Sequence, residues 1–138
     1  MQFNSRNYIA IMNSSIDYST RSILIVEDDN ISRTLFRELL KASGAKLSFV
    51  KSGAEAYDFI NTNPLPDLIL MDIRLPDENG LEVTRNILRE HPNVIVVAQT
   101  AFANSNMEDE CLNIGMKGFL TKPIQRSSLY KVFEDLNW

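Results

Sequence analysis

The sequence predicts an α/β fold, (βα)5, in which five parallel β-strands alternate with five helices as a doubly wound three-layer sandwich. Three observations predict it. First, short apolar runs such as Ile23-Leu24-Ile25-Val26, Leu68-Ile69-Leu70-Met71 and Val94-Ile95-Val96-Val97-Ala98 recur along the chain. Continuous Val/Ile/Leu runs mark strands buried on both faces of a parallel sheet. Second, segments with helical spacing of apolar residues separate those runs, the signature of βαβ units. Third, polar residues stand where the runs end: Glu27-Asp28, Asp72, Thr100, and Thr121-Lys122-Pro123. Ligands of such sheets bind outside the carboxyl ends of the strands. Carboxylates, a hydroxyl and an ammonium are therefore expected to meet at one rim, an inventory suited to a divalent cation holding a phosphoryl group.

Each element has its own local reason. Residues 1 to 20 are rich in Asn, Ser and Thr without sustained periodicity and read as a flexible N-terminal tail or linker, leaving residues 21–138 as the domain. The first helix is expected to start near Asp29 or Asn30, both good caps, and to run to about Ser43. Ile31, Leu35, Leu39, Phe36 and Leu40 supply its apolar spacing and Gly44 ends it. Strand two is expected over 46–50. Helix two opens after Ser52-Gly53, uses Ala56, Tyr57 and Ile60, and stops at Asn63-Pro64-Leu65-Pro66. Strand three covers 67–71, and the loop Leu75-Pro76-Asp77-Glu78-Asn79-Gly80 leads into helix three, which ends around Glu90. Strand four covers 93–98. Helix four carries a thin stripe of Met107, Cys111 and Ile114, closed by Gly115. Strand five covers 117–121, and helix five presents Leu129, Val132, Phe133 and Leu136. Right-handed crossovers complete the expected topology.

Bulk properties narrow the function classes. The chain of 138 residues suits one domain with a proper core. Its 44% hydrophobic and 23% charged residues are those of an ordinary globular protein. A net charge of −4 argues against direct nucleic-acid binding. The single cysteine, Cys111, excludes an internal disulfide and fits a reducing compartment. No apolar run approaches the roughly 20 residues that cross a bilayer. The stretch 8–12 is too short and lacks the basic leader of a signal peptide. The expected location is cytoplasmic, without membrane contact by this domain.

The motifs together resemble the receiver domain of two-component response regulators. The matching pieces are Ile23-Leu24-Ile25-Val26-Glu27-Asp28-Asp29, Asp67-Leu68-Ile69-Leu70-Met71-Asp72-Ile73, Leu75-Pro76 with Gly80, Thr100-Ala101, and Thr121-Lys122-Pro123-Ile124. They span about residues 22 to 138. The stretch from Asp109-Glu110-Cys111-Leu112 through Gly115-Met116 to Lys122-Pro123-Ile124 more specifically resembles receivers attached to hybrid histidine kinases. A stand-alone regulator is the other form the chain can take, and a membrane-bound hybrid kinase would carry it on the cytosolic side.

The resemblance implies a flavodoxin-like strand order 2-1-3-4-5 and a set of roles. Asp72 would be the phosphoacceptor, its carboxylate attacking a phosphohistidine to form a labile acyl phosphate. Asp28, Asp72 and the backbone carbonyl of Arg74 would bind Mg²⁺ directly and Glu27 through water. Mn²⁺ would substitute, whereas Zn²⁺ finds no Cys/His set. Lys122 would neutralise a phosphoryl oxygen, with a cis Lys122–Pro123 peptide, a form found in about 5% of X–Pro bonds. Thr100 would be the switch, with small Ala101 beside it and Phe119 as its aromatic partner. Many members have Tyr there, so a phenol hydrogen bond is missing here. Arg74 and Phe102 would flank the path of attacking water, and bulky Phe102 is expected to slow loss of the phosphoryl group. The donor would be a histidine kinase or histidine phosphotransfer domain, and the chain a monomer or weak dimer. The output would be a population shift at helix four, strand five and helix five. On this reading the chain is a signalling switch and no turnover enzyme.

Blander roles compete at several positions. Without metal, Glu27, Asp28 and Asp72 would repel and be strained or partly protonated. Asp29 suits a helix cap, His91 before Pro92 a solvated helix end, and Cys111 and Met71 the core. Trp138 packs under helix five or frays. A haloacid-dehalogenase-like phosphatase also places an Asp after a strand, but wants a second acid two residues later, where this chain has Arg74. A pseudo-receiver scaffold would have no need of Asp28, Asp72, Thr100 and Lys122 together. A flavodoxin-type cofactor binder needs a phosphate-cradling Gly loop after strand one, where Glu27-Asp28-Asp29 stands.

Overall fold

The computed structural model describes residues 16–138; the first fifteen residues of the expected tail, with the apolar stretch 8–12, lie outside the described residues. Strands β1 (Ser22–Val26), β2 (Lys46–Val50), β3 (Leu68–Asp72), β4 (Ile95–Thr100) and β5 (Gly118–Thr121) form one sheet in the order β2-β1-β3-β4-β5. All four strand pairings are parallel. Helices α1 (Asn30–Leu40), α2 (Gly53–Thr62), α3 (Gly80–Glu90), α4 (Ser105–Asn113) and α5 (Arg126–Asp135) cover its two faces. The strand order reverses between β1 and β3, where a doubly wound sheet opens its crevice.

Alternation along the strands sorts the core. Leu24, Val26, Ile69, Met71, Val96 and Ala98 face α2, α3 and α4, meeting Ile60, Leu81, Ile87 and Cys111. Ile23, Ile25, Leu68, Leu70, Val97 and Leu120 face α1 and α5, meeting Phe36, Leu40, Leu129 and Phe133. Every residue of β3 is buried. This is why its sequence is apolar without alternation and why only its last residue, Asp72, carries charge.

The caps follow the sequence. Asp29 accepts a hydrogen bond from Ser32 N–H at 2.9 Å and opens α1. Ser52 accepts from Glu55 N–H at 3.1 Å and opens α2. A 3₁₀ turn, Lys41–Ser43, continues α1 to Gly44, whose φ of 77° releases the chain into β2. His91 ends α3, donating its backbone N–H to Ile87 at 2.8 Å.

The structure departs from expectation in four places, one of them β4, expected over 93–98 but formed by Ile95–Thr100. Ile31 is 80% exposed and not part of the inner stripe of α1. At about 100° per residue it lies roughly 140° from Phe36 and 180° from Leu40, on the far side of the helix. Strand β3 extends one residue further than its apolar run, because Asp72 keeps ladder register with Gln99. Residues 16–20, assigned to the tail, lie against the fold: Tyr18 is buried and donates its backbone N–H to Ser43 O at 2.6 Å. Its ring meets Phe133 edge-on at 5.5 Å, and Trp138 stacks on Phe133 at 5.3 Å. Trp138 therefore packs rather than frays. Among the described residues, no helix is long and apolar enough to cross a membrane.

Candidate functional site

Register assembles the site. Val26, Met71, Ala98 and Phe119 form one row across four strands. One step further, the row becomes Glu27, Asp72, Gln99 and Leu120, all turned by alternation to the α1/α5 face. Lys122 lies two residues beyond Leu120 on that same face. The Lys122 Nζ donates to Asp72 Oδ2 at 3.0 Å and to Glu27 Oε1, joining β5, β3 and the end of β1. Carboxylate oxygens of Glu27, Asp28 and Asp72 lie within 4.8 Å of one another. Glu27 and Asp72 are buried, whereas Asp28 faces solvent. The pocket is thus closed at its floor and open at one carboxylate.

Backbone groups fix the acids. Arg74 N–H donates to Asp72 Oδ1 at 2.9 Å, and Asp29 N–H donates to Glu27 Oε2 at 3.3 Å. Gly80 closes the loop after β3 by donating its N–H to Ile73 O at 2.8 Å. A Cβ at Gly80 would stand 2.1 Å from Asp72 O, so no side chain fits there. Asp77 accepts from Gly53 N–H at 2.9 Å and Ala54 N–H at 3.0 Å, tying the loop to the start of α2. Those bonds hold its carboxyl below the usual range.

The electrostatics are those of two acids sharing one cation. Burial pushes Glu27 up, the neighbouring Asp72 adds to the rise, and Lys122 pulls the other way. Burial works against the charge on Lys122, but its hydrogen bonds to Glu27 and Asp72 prevail and hold the ammonium above the usual lysine range. Lys122 lies between the two buried acids and offsets their mutual repulsion. The donor set is all oxygen, with one exposed carboxylate as the entry. This fits a hard divalent cation that keeps some of its water.

The remaining candidates line the rim. Thr100 is buried, and its Oγ1 accepts from Phe102 N–H at 3.1 Å, so its hydroxyl bonds within its own loop. Ala101 is exposed beside it. Phe102 is 57% exposed, with the Arg74 guanidinium over its ring at 3.8 Å. Phe119 is half-buried against the cluster under α4. The Lys122–Pro123 peptide is cis. Gln99 was missed by sequence reasoning. It is fully buried between Ala98 and Thr100, and its Oε1 has no hydrogen-bond partner. The signal was present, since Gln99 is the one amide within the apolar run that ends at Thr100.

Comparisons with known proteins agree with this geometry. The family model described as the response regulator receiver domain matches residues 23–134. The polar-differentiation response regulator DivK of Brucella ovis is 42% identical over 107 residues, covering 76% of this chain and 86% of that protein. DivK of Brucella anthropi is 40% identical over 106 residues, covering 75% and 85%. Among solved structures, the receiver domain of the sensor histidine kinase PA1611 of Pseudomonas aeruginosa PAO1 has a magnesium ion coordinated in its active-site cleft. It is 30% identical with a TM-score of 0.74, over 86% of this chain and 98% of that one. The Mn(2+)-bound form of response regulator Rcp1 is 28% identical with a TM-score of 0.72, over 85% and 91%. With its fold, strand order and acidic rim in accord, the chain belongs to the response regulator receiver domain family of two-component signalling.

Proposed function

We propose that this domain takes a phosphoryl group from a partner phosphohistidine onto Asp72 in a Mg²⁺-dependent reaction. The observation that carries the reading is the convergence of Asp72, Asp28, Glu27 and Lys122 at the β1/β3 switch point. An Asp72 oxygen attacks phosphorus, the P–N bond breaks and its electron pair returns to imidazole, leaving a mixed anhydride on β3. Arg74 N–H orients the attacking carboxylate from one side. Asp28, Asp72, the Arg74 carbonyl and Glu27 through water would hold the cation, which supplies charge neutralisation at the transferring oxygens. Lys122 exchanges Glu27 for a phosphoryl oxygen, and positioning with charge neutralisation is most of what such transfers require.

Thr100 then releases Phe102 N–H and donates its hydroxyl to the phosphoryl group, moving the β4–α4 loop. Phe119, packed under α4, conveys that movement to the α4-β5-α5 face. Phe102 and Arg74, stacked at the rim, slow the entry of hydrolytic water. Ile31 at 80% exposure and half-buried Leu35 form an apolar edge on α1 just beyond the acidic loop, where a helical donor domain would dock. The site chemistry is the same whether the domain acts as a separate regulator or within a hybrid kinase. Incubation with acetyl phosphate and Mg²⁺ tests it by intact mass. The native protein gains one phosphoryl group and Asp72→Asn gains none; labelling of the variant would refute the assignment.

A further inference from the structure

Gln99 is a polar residue built into an apolar layer beside the acidic pocket. It is fully buried, pairs in register with Asp72 on β3, and shares its face of the sheet. Its Nε2 reaches Val26 O on β1 at 3.5 Å. Since β3 lies between β4 and β1, the amide must pass over β3 on the face carrying Leu70 and Asp72. Lys122 crosses in the same direction, because its stem leaves from beyond β5 and its ammonium meets Asp72 and Glu27. There it meets Asp72, the residue that Gln99 faces in register on the neighbouring strand. Amide and ammonium thus both reach toward the end of β1 from the β4/β5 side, the amide ending at Val26 O and the ammonium at Glu27 and Asp72.

A buried amide oxygen without a partner is costly, so its presence asks for a donor. An ammonium carries three hydrogens. Glu27 and Asp72 take two. We propose that Gln99 is a positioning residue whose Oε1 accepts the third hydrogen of the Lys122 ammonium as it leaves Glu27 for the phosphoryl oxygen. Asp72, the phosphoryl oxygen and Gln99 then share the three donors, and the ammonium is held over the reacting carboxylate. This inference rests on the phosphoacceptor reading of Asp72. Gln99 touches no reacting atom; it acts through Lys122.

The test is Gln99→Met, which keeps the length of the side chain and removes both polar atoms, with Gln99→Leu as a second apolar replacement. Initial rates of phosphorylation by acetyl phosphate are measured at saturating Mg²⁺, alongside Mg²⁺ affinity by calorimetry and thermal stability. Loss of a hydrogen bond to a charged group predicts a rate lower by about tenfold or more. Mg²⁺ affinity should change by less than about twofold, because no metal ligand is removed. Thermal stability should change little, as removal of the unpartnered Oε1 offsets loss of the long bond from Nε2 to Val26 O. Variants that keep the native rate overturn the inference while leaving Asp72 in its role. A native protein that is never phosphorylated overturns the reading beneath it. Rates that fall only in step with lost stability overturn it as well, since Gln99 would then be a strut to Val26.

Discussion

Lys122→Met isolates the electrostatic device that lies between the two buried acids. The substitution keeps the length of the side chain and removes the cation lying between Glu27 and Asp72. At 3.0 Å from Asp72, the gross attraction is about 5 kcal/mol at an effective dielectric constant near 20. Desolvation of the ammonium offsets part of that. Removing one partner of a buried pair has a net cost of about 3–5 kcal/mol, because the other charge is left without compensation. The Lys122 side chain keeps 17% of its exposure, while that of Glu27 keeps none, so the lower end, about 3 kcal/mol, is expected. Urea unfolding in EDTA should show a midpoint lower by about 2 M at the slopes of small domains. Mg²⁺ should stabilise the variant more than the native protein, since the ion no longer competes with an ammonium. Adding Glu27→Gln should restore most of the loss. If Lys122→Met stays within about 1 kcal/mol of native in EDTA, or the double variant recovers nothing, the charge-sharing account fails.

Three further predictions follow from other parts of the fold. Phe102→Ala removes the ring under Arg74 and should shorten the phosphoryl half-life about two- to fivefold, the worth of an exposed cation–π contact; an unchanged or longer half-life speaks against a water gate. Tyr18→Ala should destabilise by about 3 kcal/mol in chemical denaturation, whereas a cost under about 1 kcal/mol would mean that residues 16–20 contribute little to the domain. Burial pushes the Cys111 thiol up to about 11 from 9.0. The folded protein therefore keeps a proton that the unfolded chain has lost, so stability is full below pH 9 and declines toward pH 11. Cys111→Ala should flatten that decline by about 1–2 kcal/mol, and native Cys111 should resist thiol reagents at neutral pH.

Most of the fold was legible because a parallel sheet buries its strands on both faces. The runs at Ile23, Leu68 and Val94 had no other simple reading, and the caps Asp29, Ser52 and Gly44 punctuated them. The polar residues at the strand ends were legible for the same reason, since nothing in a core explains Asp72 or Lys122. Ile31 was misplaced because spacing alone cannot say which of two apolar flanks of α1 points inward. Gln99 went unread because one amide inside an apolar run looks like noise until its register partner is known to be Asp72. The N-terminal boundary was similarly opaque: nothing around Tyr18 announces the ring of Phe133 more than a hundred residues away.

By itself, the order of residues determined the alternation of strands and helices, the chemical inventory at the strand ends, and the family. Those are local properties, fixed by periodicity and by what a buried strand tolerates. The tertiary structure alone decided that Lys122 balances Glu27 and Asp72 together, that Arg74 lies over Phe102, and that a buried amide stands in register with Asp72. Such pairings join residues distant along the chain, and only the register of one strand against another brings their charges within reach.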